Sequence, residues 1–481
     1  VALGVLISGA LAISSWFSDR ETPVAQTMPD NPQQQPENHN GPSTTEPSPV
    51  ADFNGGPGQQ PMIVVRSPDS ADRHYSDLDD AIREAPDRSE IRIHNRGPHL
   101  ISPIKIKQSE LTLRAICSDY VIVKPKQPNT AEPLISVVNA RLQLDGISIE
   151  RDAPPPSNGS VRNNSLLLCI QGQLIAKHCR FRTNSSIALV MHHPQLCDLA
   201  SCEIYTIDGI AIQWSYQRGS RLAINNCVVL ADTAIQQHFR PDFADIILDM
   251  RENTIIAWYL MQLRPNSPLA GSRQNNPGPP PGVKSQNQFT SLGTRNVFDV
   301  GHTVLNIRHA DIRKKNSRIF RIDELNLKSL FKMTWTDNLY SSEAEKNRFI
   351  SISMPVSGRA GVIAFSDPIG PGWAPSTLIE WSQFWGCDPR DSAIRSPAYS
   401  NGRNAVAIEN FARRTPTQLG PAMFRLEMDG HAETYRYGAH SDRVGRVLRP
   451  PPNSGGLPPI PQSNPAPRGR TQPFIERSRE Q

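Results

Sequence analysis

Cysteine is scarce, with seven in 481 residues. A small secreted scaffold stapled by disulfides is far denser in cysteine, so that class is excluded. Long lysine or arginine runs are missing too. A net charge of +5 and a pI near 8.8, spread over this length, carry no nucleic-acid footprint. Phosphoryl-transfer signatures are absent: there is no glycine-rich phosphate loop, no His-Arg-Asp catalytic loop and no Asp-Phe-Gly. Apolar residues make up only 37% of the chain while prolines number 44, a balance that excludes one uniformly packed globule and predicts unstructured segments.

The segments that are present divide the chain. Residues 1–17, VALGVLISGALAISSWF, are uncharged and end in an interfacial Trp16 and Phe17. They fit a truncated transmembrane helix continued upstream, because neither Met nor a basic flank marks a signal peptide. A signal peptide lacking its first residues is the alternative, and either would export the rest of the chain. Residues 18–61 form a disordered Pro/Gln-rich linker, and 449–481 a disordered proline-rich tail. A third Pro/Asn/Gly-rich interruption at 264–284 reads as a long loop.

Order is expected from MIVVRS onward. Ser76 followed by Asp79 resembles a helix-capping arrangement, and Leu78, Ala81, Ile82 and Ala85 form one apolar stripe at helical spacing. Pro86 stops that helix, and IRIH (91–94) alternates as a strand. The helix suits a cap on an otherwise open sheet edge.

Beyond it one eight-residue pattern recurs: LQLDGISI from Leu142, LIAKHCRF from Leu174, CDLASCEI from Cys197, LAINNCVV from Leu222 and LDMRENTI from Leu248. A weaker copy, SLGTRNVF, starts at Ser291. Three copies are followed by an echo: SIALV (186–190), GIAIQ (209–213) and TAIQQ (233–237). A drifting period of about two dozen residues, holding two or three short strands and no helix, fits one coil of a parallel β-solenoid. Strands then pair with their counterparts one coil on, alternate residues point inward, and loops leave at the corners. Residues 62–300 are therefore assigned to a parallel β-helix and 301–448 to its last coils and an irregular C-terminal cap. Trp335, Trp373, Trp381 and Trp385 fall in that last segment, as core and cap packing or as an aromatic ligand platform.

The helix SDLDDAIREA, the IRIHNRGPHLI after it and the repeated L-x-L/I-x-x-C/N-x-I/F resemble the pectin-lyase-like right-handed parallel β-helix superfamily. The layout, with YGAHSDRVG at 437–445, resembles the exported half of bacterial membrane-bound serine/threonine kinases. The first resemblance implies an all-β fold, a right-handed solenoid with an N-terminal capping helix. The second implies a kinase domain upstream of Val1 and a sensor on the extracytoplasmic side of a bacterial membrane.

The chemistry is sparse. Cys179, Cys202 and Cys227 occupy one position of successive repeats, with Asn253 next in line, which makes a structural ladder of small side chains the simplest reading. One strained disulfide or a metal is the alternative. His192, His193, Cys197 and Cys202 lie within eleven residues, but the repeat sends both cysteines inward and adjacent histidines to opposite sides, which is poor zinc geometry. No cofactor or metal is expected. Polysaccharide cleavage would draw on Asp208, Asp232, Asp249, Arg251 and His193, although no recognisable carboxylate constellation is present. Trp214 and Arg218 are the candidate binding residues. The expectation is an exported, non-catalytic β-helix ectodomain that binds or senses extended ligands such as cell-wall polysaccharide. A polysaccharide lyase or glycoside hydrolase is the second reading, and a structural or adhesive surface module the third.

Overall fold

The repeat becomes a stack of strands. The computed structural model describes residues 63–128, 130, 132–152, 165–184, 187–207, 209–215, 217–239, 245–265, 289–308, 327–328, 331–346, 348–353, 355–357, 363–365, 370–395, 397, 438–439 and 444. The expected membrane segment, linker and tail lie outside these residues, as does nearly all of the loop at 264–284. Among the described residues no helix is long and apolar enough to cross a membrane.

Each coil has three faces. Face one of a central coil is Gln173–Lys177, face two is Arg180–Asn184 and face three is Ile187–His192. The next coil repeats them as Leu196–Ala200, Glu203–Ile207 and Ile210–Ser215. Every one of these strands pairs in parallel with its counterpart one coil on. The registers match the sequence repeat residue for residue: Leu142, Leu174, Cys197, Leu222, Leu248 and Ser291 form one column, which Met333 extends. The echo is off by one in its third copy, because Ile187 and Ile210 align with Thr233, the first residue of TAIQQ, where SIALV and GIAIQ place those isoleucines second.

Alternation fills the interior. Ile149, Phe181, Ile204, Val229, Ile255, Phe298 and Tyr340 stack in one inward column on face two, all wholly buried. In the later coils faces two and three are single bent strands, Val228–Phe239, Thr254–Pro265 and Val297–Arg308.

The corner between faces one and two needs a left-handed residue in each coil. Gly146, His178, Ser201, Asn226, Glu252, Arg295 and Asp337 all have positive φ there. The residue after each corner turns inward. In the middle coils these are Cys179, Cys202 and Cys227; in the later coils they are Asn253, Asn296 and Asn338. The asparagines form a hydrogen-bonded ladder. Asn253 Nδ2 donates to Asn296 Oδ1 at 2.9 Å and Asn296 Nδ2 to Asn338 Oδ1 at 2.9 Å. Each Oδ1 also accepts the backbone N–H one coil down, from Cys227, Asn253 and Asn296. The thiols use the same geometry more weakly: Cys202 N–H points to Cys227 Sγ at 3.3 Å.

Both ends of the core are covered. Helix α1 (Leu78–Glu84) turns Leu78, Ala81 and Ile82 inward against the first strands. Its N-cap is Asp77, which accepts from Asp79 N and Asp80 N, and not the expected Ser76. The edge of face one is extended by an antiparallel hairpin, Ile63–Ser67 and Ser70–Tyr75. At the other end, after the short helix α2 (Ser342–Lys346), helix α3 (Leu378–Trp385) starts with a capping box between Thr377 and Glu380 and ends at a left-handed Gly386. It seats Trp381 on Phe349, with ring centroids 5.1 Å apart, and beside Trp335 at 6.0 Å. Trp335 and Trp381 are buried and Trp373 and Trp385 half-buried, in one continuous aromatic stack. Gly438 N–H bonds Arg295 O and Ala439 N–H bonds Thr254 Oγ1, which sets these two residues against a corner of the solenoid.

Candidate functional site

Planar polar side chains repeat along a second corner, between faces three and one. Here Asn139, Gln171 and His193 take the left-handed conformation. Asn139 and Gln171 lead into face-one strands that open on Arg141 and Gln173, whereas His193 leads through Gln195 into a strand that opens on Leu196. Arg141 pairs laterally with Glu110 on one side and Gln173 on the other. The result is a polar groove of about 330 Å3, lined chiefly by Arg88, Glu110, Asn139, Arg141, Gln171 and Gln173. Gln195 closes its far end. It spans four strand spacings, about 19 Å along the axis.

Neighbouring coils hold these side chains in place. Gln173 Nε2 donates to Gln195 Oε1 at 3.0 Å, and Gln143 Nε2 to Glu110 Oε1 at 2.7 Å. Arg141 Nη1 stands 3.7 Å from Glu110 Oε1. Asp87 clamps the near end by accepting from Ser109 Oγ and from the Ser109 and Glu110 amides. The Ser109 hydroxyl is the main reason that the Asp87 carboxyl is held below its ordinary range. The floor requires Gly172: a Cβ there would come within 2.5 Å of the Ala140 carbonyl oxygen. Amide, guanidinium and carboxylate groups offer donors and acceptors in alternation, which suits a polyhydroxylated ligand.

The second polar cluster is sealed. On face two Glu203 is wholly buried and accepts from Tyr120 Oη at 2.5 Å, Tyr205 Oη at 2.8 Å and Arg180 at 3.0 and 3.2 Å. Arg180 also lies 4.6 Å above the Tyr120 ring. Burial first, and the Glu203 charge next, push both phenols far up, so they remain donors. Burial opposes charge on Arg180, but Glu203 outweighs it and raises its pKa. Four donors occupy the carboxylate, which leaves it no lone pair for base chemistry. Beside it Glu150, Asp152, Lys124 and Arg182 form further ion pairs. This network clamps coils together.

The residues expected to carry chemistry do not converge. Asp249 lies on face one, wrapped by Arg251 at 2.9 and 3.0 Å and by Arg221 at 3.5 Å. His193 sits at the corner groove's column, at least two coils away, or about 10 Å along the axis alone. Asp232 is at the bend of Val228–Phe239, and Asp208 lies outside the described residues. Trp214, expected at a binding surface, is instead inside the core, 5.9 Å from Phe289. Its place in the inward column Met191–Trp214–Gln237–Leu263 leaves no ring face for an external ligand. Arg218 is exposed on a turn and pairs with Asp245 at 3.4 Å.

The four residues of the zinc pattern are also split, because Cys197 and Cys202 are wholly buried while His192 points outward on face three. Burial pushes the thiols of Cys179, Cys197 and Cys202 well up, so they stay protonated. All seven cysteines are unbridged.

The groove had a sequence signal one step upstream of the repeat. SEL (109–111), ARL (140–142), GQL (172–174) and SRL (220–222) each put a small residue and then a long polar one before the inward leucine. No protein-family model, no curated protein and no solved structure matches the chain.

Proposed function

We propose that this chain is a non-catalytic binding or sensing module for an extended polyhydroxylated polymer, such as a cell-wall polysaccharide. The corner groove from Arg88 to Gln195 is its binding site. One observation carries the reading: long planar polar side chains recur at the coil pitch along about 19 Å of a rigid corner. A polymer with its own regular repeat can meet such a column many times, so weak hydrogen bonds sum.

The fold is read as the pectin-lyase-like, right-handed form of the parallel β-helix. Its capping helix, its corner ladder and the strong right-handed preference of parallel crossovers support that reading. The module is placed on the extracytoplasmic side of a bacterial membrane, anchored by residues 1–17, as the sensor half of a serine/threonine kinase. The uncharged first segment and the polar spacer support this placement.

A glycan-array screen of the full chain beside the Arg141→Ala/Gln173→Ala variant tests the proposal. Retention of at least one polysaccharide class, reduced about tenfold or more in the variant, is expected from the loss of one or two charged hydrogen bonds. Uniform silence, or retention that the variant leaves unchanged, overturns it.

A further inference from the structure

Trp258 stands apart from the other described tryptophans. Trp214 fills the core, and Trp335, Trp373, Trp381 and Trp385 belong to the cap stack. Trp258 lies at the third corner, between faces two and three, where the strand Thr254–Pro265 bends. Ala257 before this bend and Leu260 after it are wholly buried, while Trp258 and Tyr259 are half-buried. Alternation past the inward Ala257 turns the indole outward.

The next coil is shaped around that indole. Ala257 pairs with Val300 and Tyr259 with Thr303, so the single residue Trp258 faces two, Gly301 and His302. A bulge of this kind bends the strand and re-aims its side chains. Here it sets a glycine under the ring and an imidazole against it. A Cβ on Gly301 would come within 2.4 Å of Trp258 Cε3 and 2.7 Å of Cζ3, so any side chain there would push the indole away. The His302 and Trp258 ring centroids are 5.0 Å apart. His302 also stacks on Tyr259 at 5.6 Å, with the planes 11° apart. Among the described residues, neither the indole N–H nor the His302 ring nitrogens have a hydrogen-bond partner.

We propose that this corner is a second, separate sugar site, in which Trp258 and His302 form an aromatic ledge for the apolar face of one pyranose ring. The C–H groups on that face carry slight positive charge and meet the electron-rich face of the indole. The indole N–H and the imidazole are left to bond the hydroxyls at the sugar's rim. Asp232 holds the same corner one coil earlier and would favour a cation enclosed by rings. The rings here pack against each other as a ledge, with no hollow between them. One stacked ring binds weakly, with a dissociation constant on the order of millimolar. The ledge therefore fills at sugar concentrations far above those at which a polymer saturates a groove of many contacts. It lies on a different corner from that groove, and the two readings stand or fall separately.

Titration of the full chain with disaccharides, which are too short to span the groove, tests the proposal. The probes are cellobiose, diacetylchitobiose and maltose, with choline chloride as the cation. Saturation-transfer NMR reads binding, and tryptophan emission reads its place. At least one disaccharide should bind the wild type and shift its emission. Binding should weaken about tenfold or more in Trp258→Ala and in Gly301→Ala. It should persist without the emission shift in Trp258→Phe, which keeps a ring face. The groove variant Arg141→Ala/Gln173→Ala should respond as the wild type does. Loss in that variant alone assigns the sugar to the groove and overturns the ledge, leaving the groove reading intact. No disaccharide binding, equal affinity in Trp258→Ala, or a response to choline alone overturns the proposal as well.

Discussion

At the scale of single residues, the inward position after the face-one corner decides how strongly adjacent coils are tied. Thiols fill it in three coils and amides in the next three. An amide satisfies a backbone N–H, a carbonyl and its neighbour in the column at once, as Asn296 does. A thiol donates and accepts only weakly. Asn296→Ala should therefore cost about 3 kcal/mol or more in a denaturant titration, because several buried groups lose partners together. Cys227→Asn should be neutral or stabilising, since Asn253 Oδ1 already bonds its N–H and the Leu199 carbonyl faces its side chain. A large loss in Cys227→Asn would contradict the equivalence of the column. Gln237 is the opposite case. It sits inside the core between Trp214 and Leu263, and neither atom of its amide has a hydrogen-bond partner among the described residues. Gln237→Leu should stabilise the chain by about 1–3 kcal/mol, the usual cost of a buried orphan group. An unchanged or lower midpoint would refute this.

At the scale of elements, the ends are where a solenoid is vulnerable, because each coil touches only its neighbours. Helix α3 covers the last coil through Trp381, whose ring also reaches Tyr340 Oη at 3.3 Å. Trp381→Ala should cost about 3–5 kcal/mol of local stability. Hydrogen exchange should then quicken in 331–340 while 141–151 and 165–177 stay protected; uniform loss of protection would point to a single cooperative unit. The same scale shows what the sequence made legible. Period and inward parity are readable, because face-one alternation is strict and the corner column carries Cys or Asn. The third-face echo slips by one residue, because a period of two gives the same apolar look in either register. Trp214 keeps the parity of Ile212 in the unslipped second echo, so alternation itself sends it inward. Asp77 displaces Ser76 as the helix cap because both residue types cap well and only backbone geometry selects between them. The corner groove depends on residues 22 to 32 positions apart. Such neighbours emerge only once the coils are in register.

At the scale of the whole molecule, pH acts through two histidines, His99 buried and His192 half-buried. Burial holds His99 and His192 below the ordinary imidazole value of 6.5, against smaller raising contacts at His99 and with the help of His193 at His192. The unfolded chain thus binds more protons than the native one between the lowered values and 6.5, so stability falls as pH drops through that window. Asp79 acts at lower pH. Burial raises its pKa, but Lys126, Ser102 and Arg83 outweigh that and lower it, so its contribution is lost only as pH falls below 3.8. His99→Gln with His192→Gln should flatten the upper limb of a stability profile between pH 7 and 5, and an unchanged slope would contradict the assignment.

The central claim is that a rigid corner presents a column of polar side chains to a polymer. Hydrogen-exchange mapping of the full chain with and without the best-retained glycan from the array tests it most directly. The account predicts added protection confined to residues 88, 109–110, 139–141, 171–173 and 195, on five successive coils of one corner. Protection centred on face two or face three, or none on binding, would contradict it.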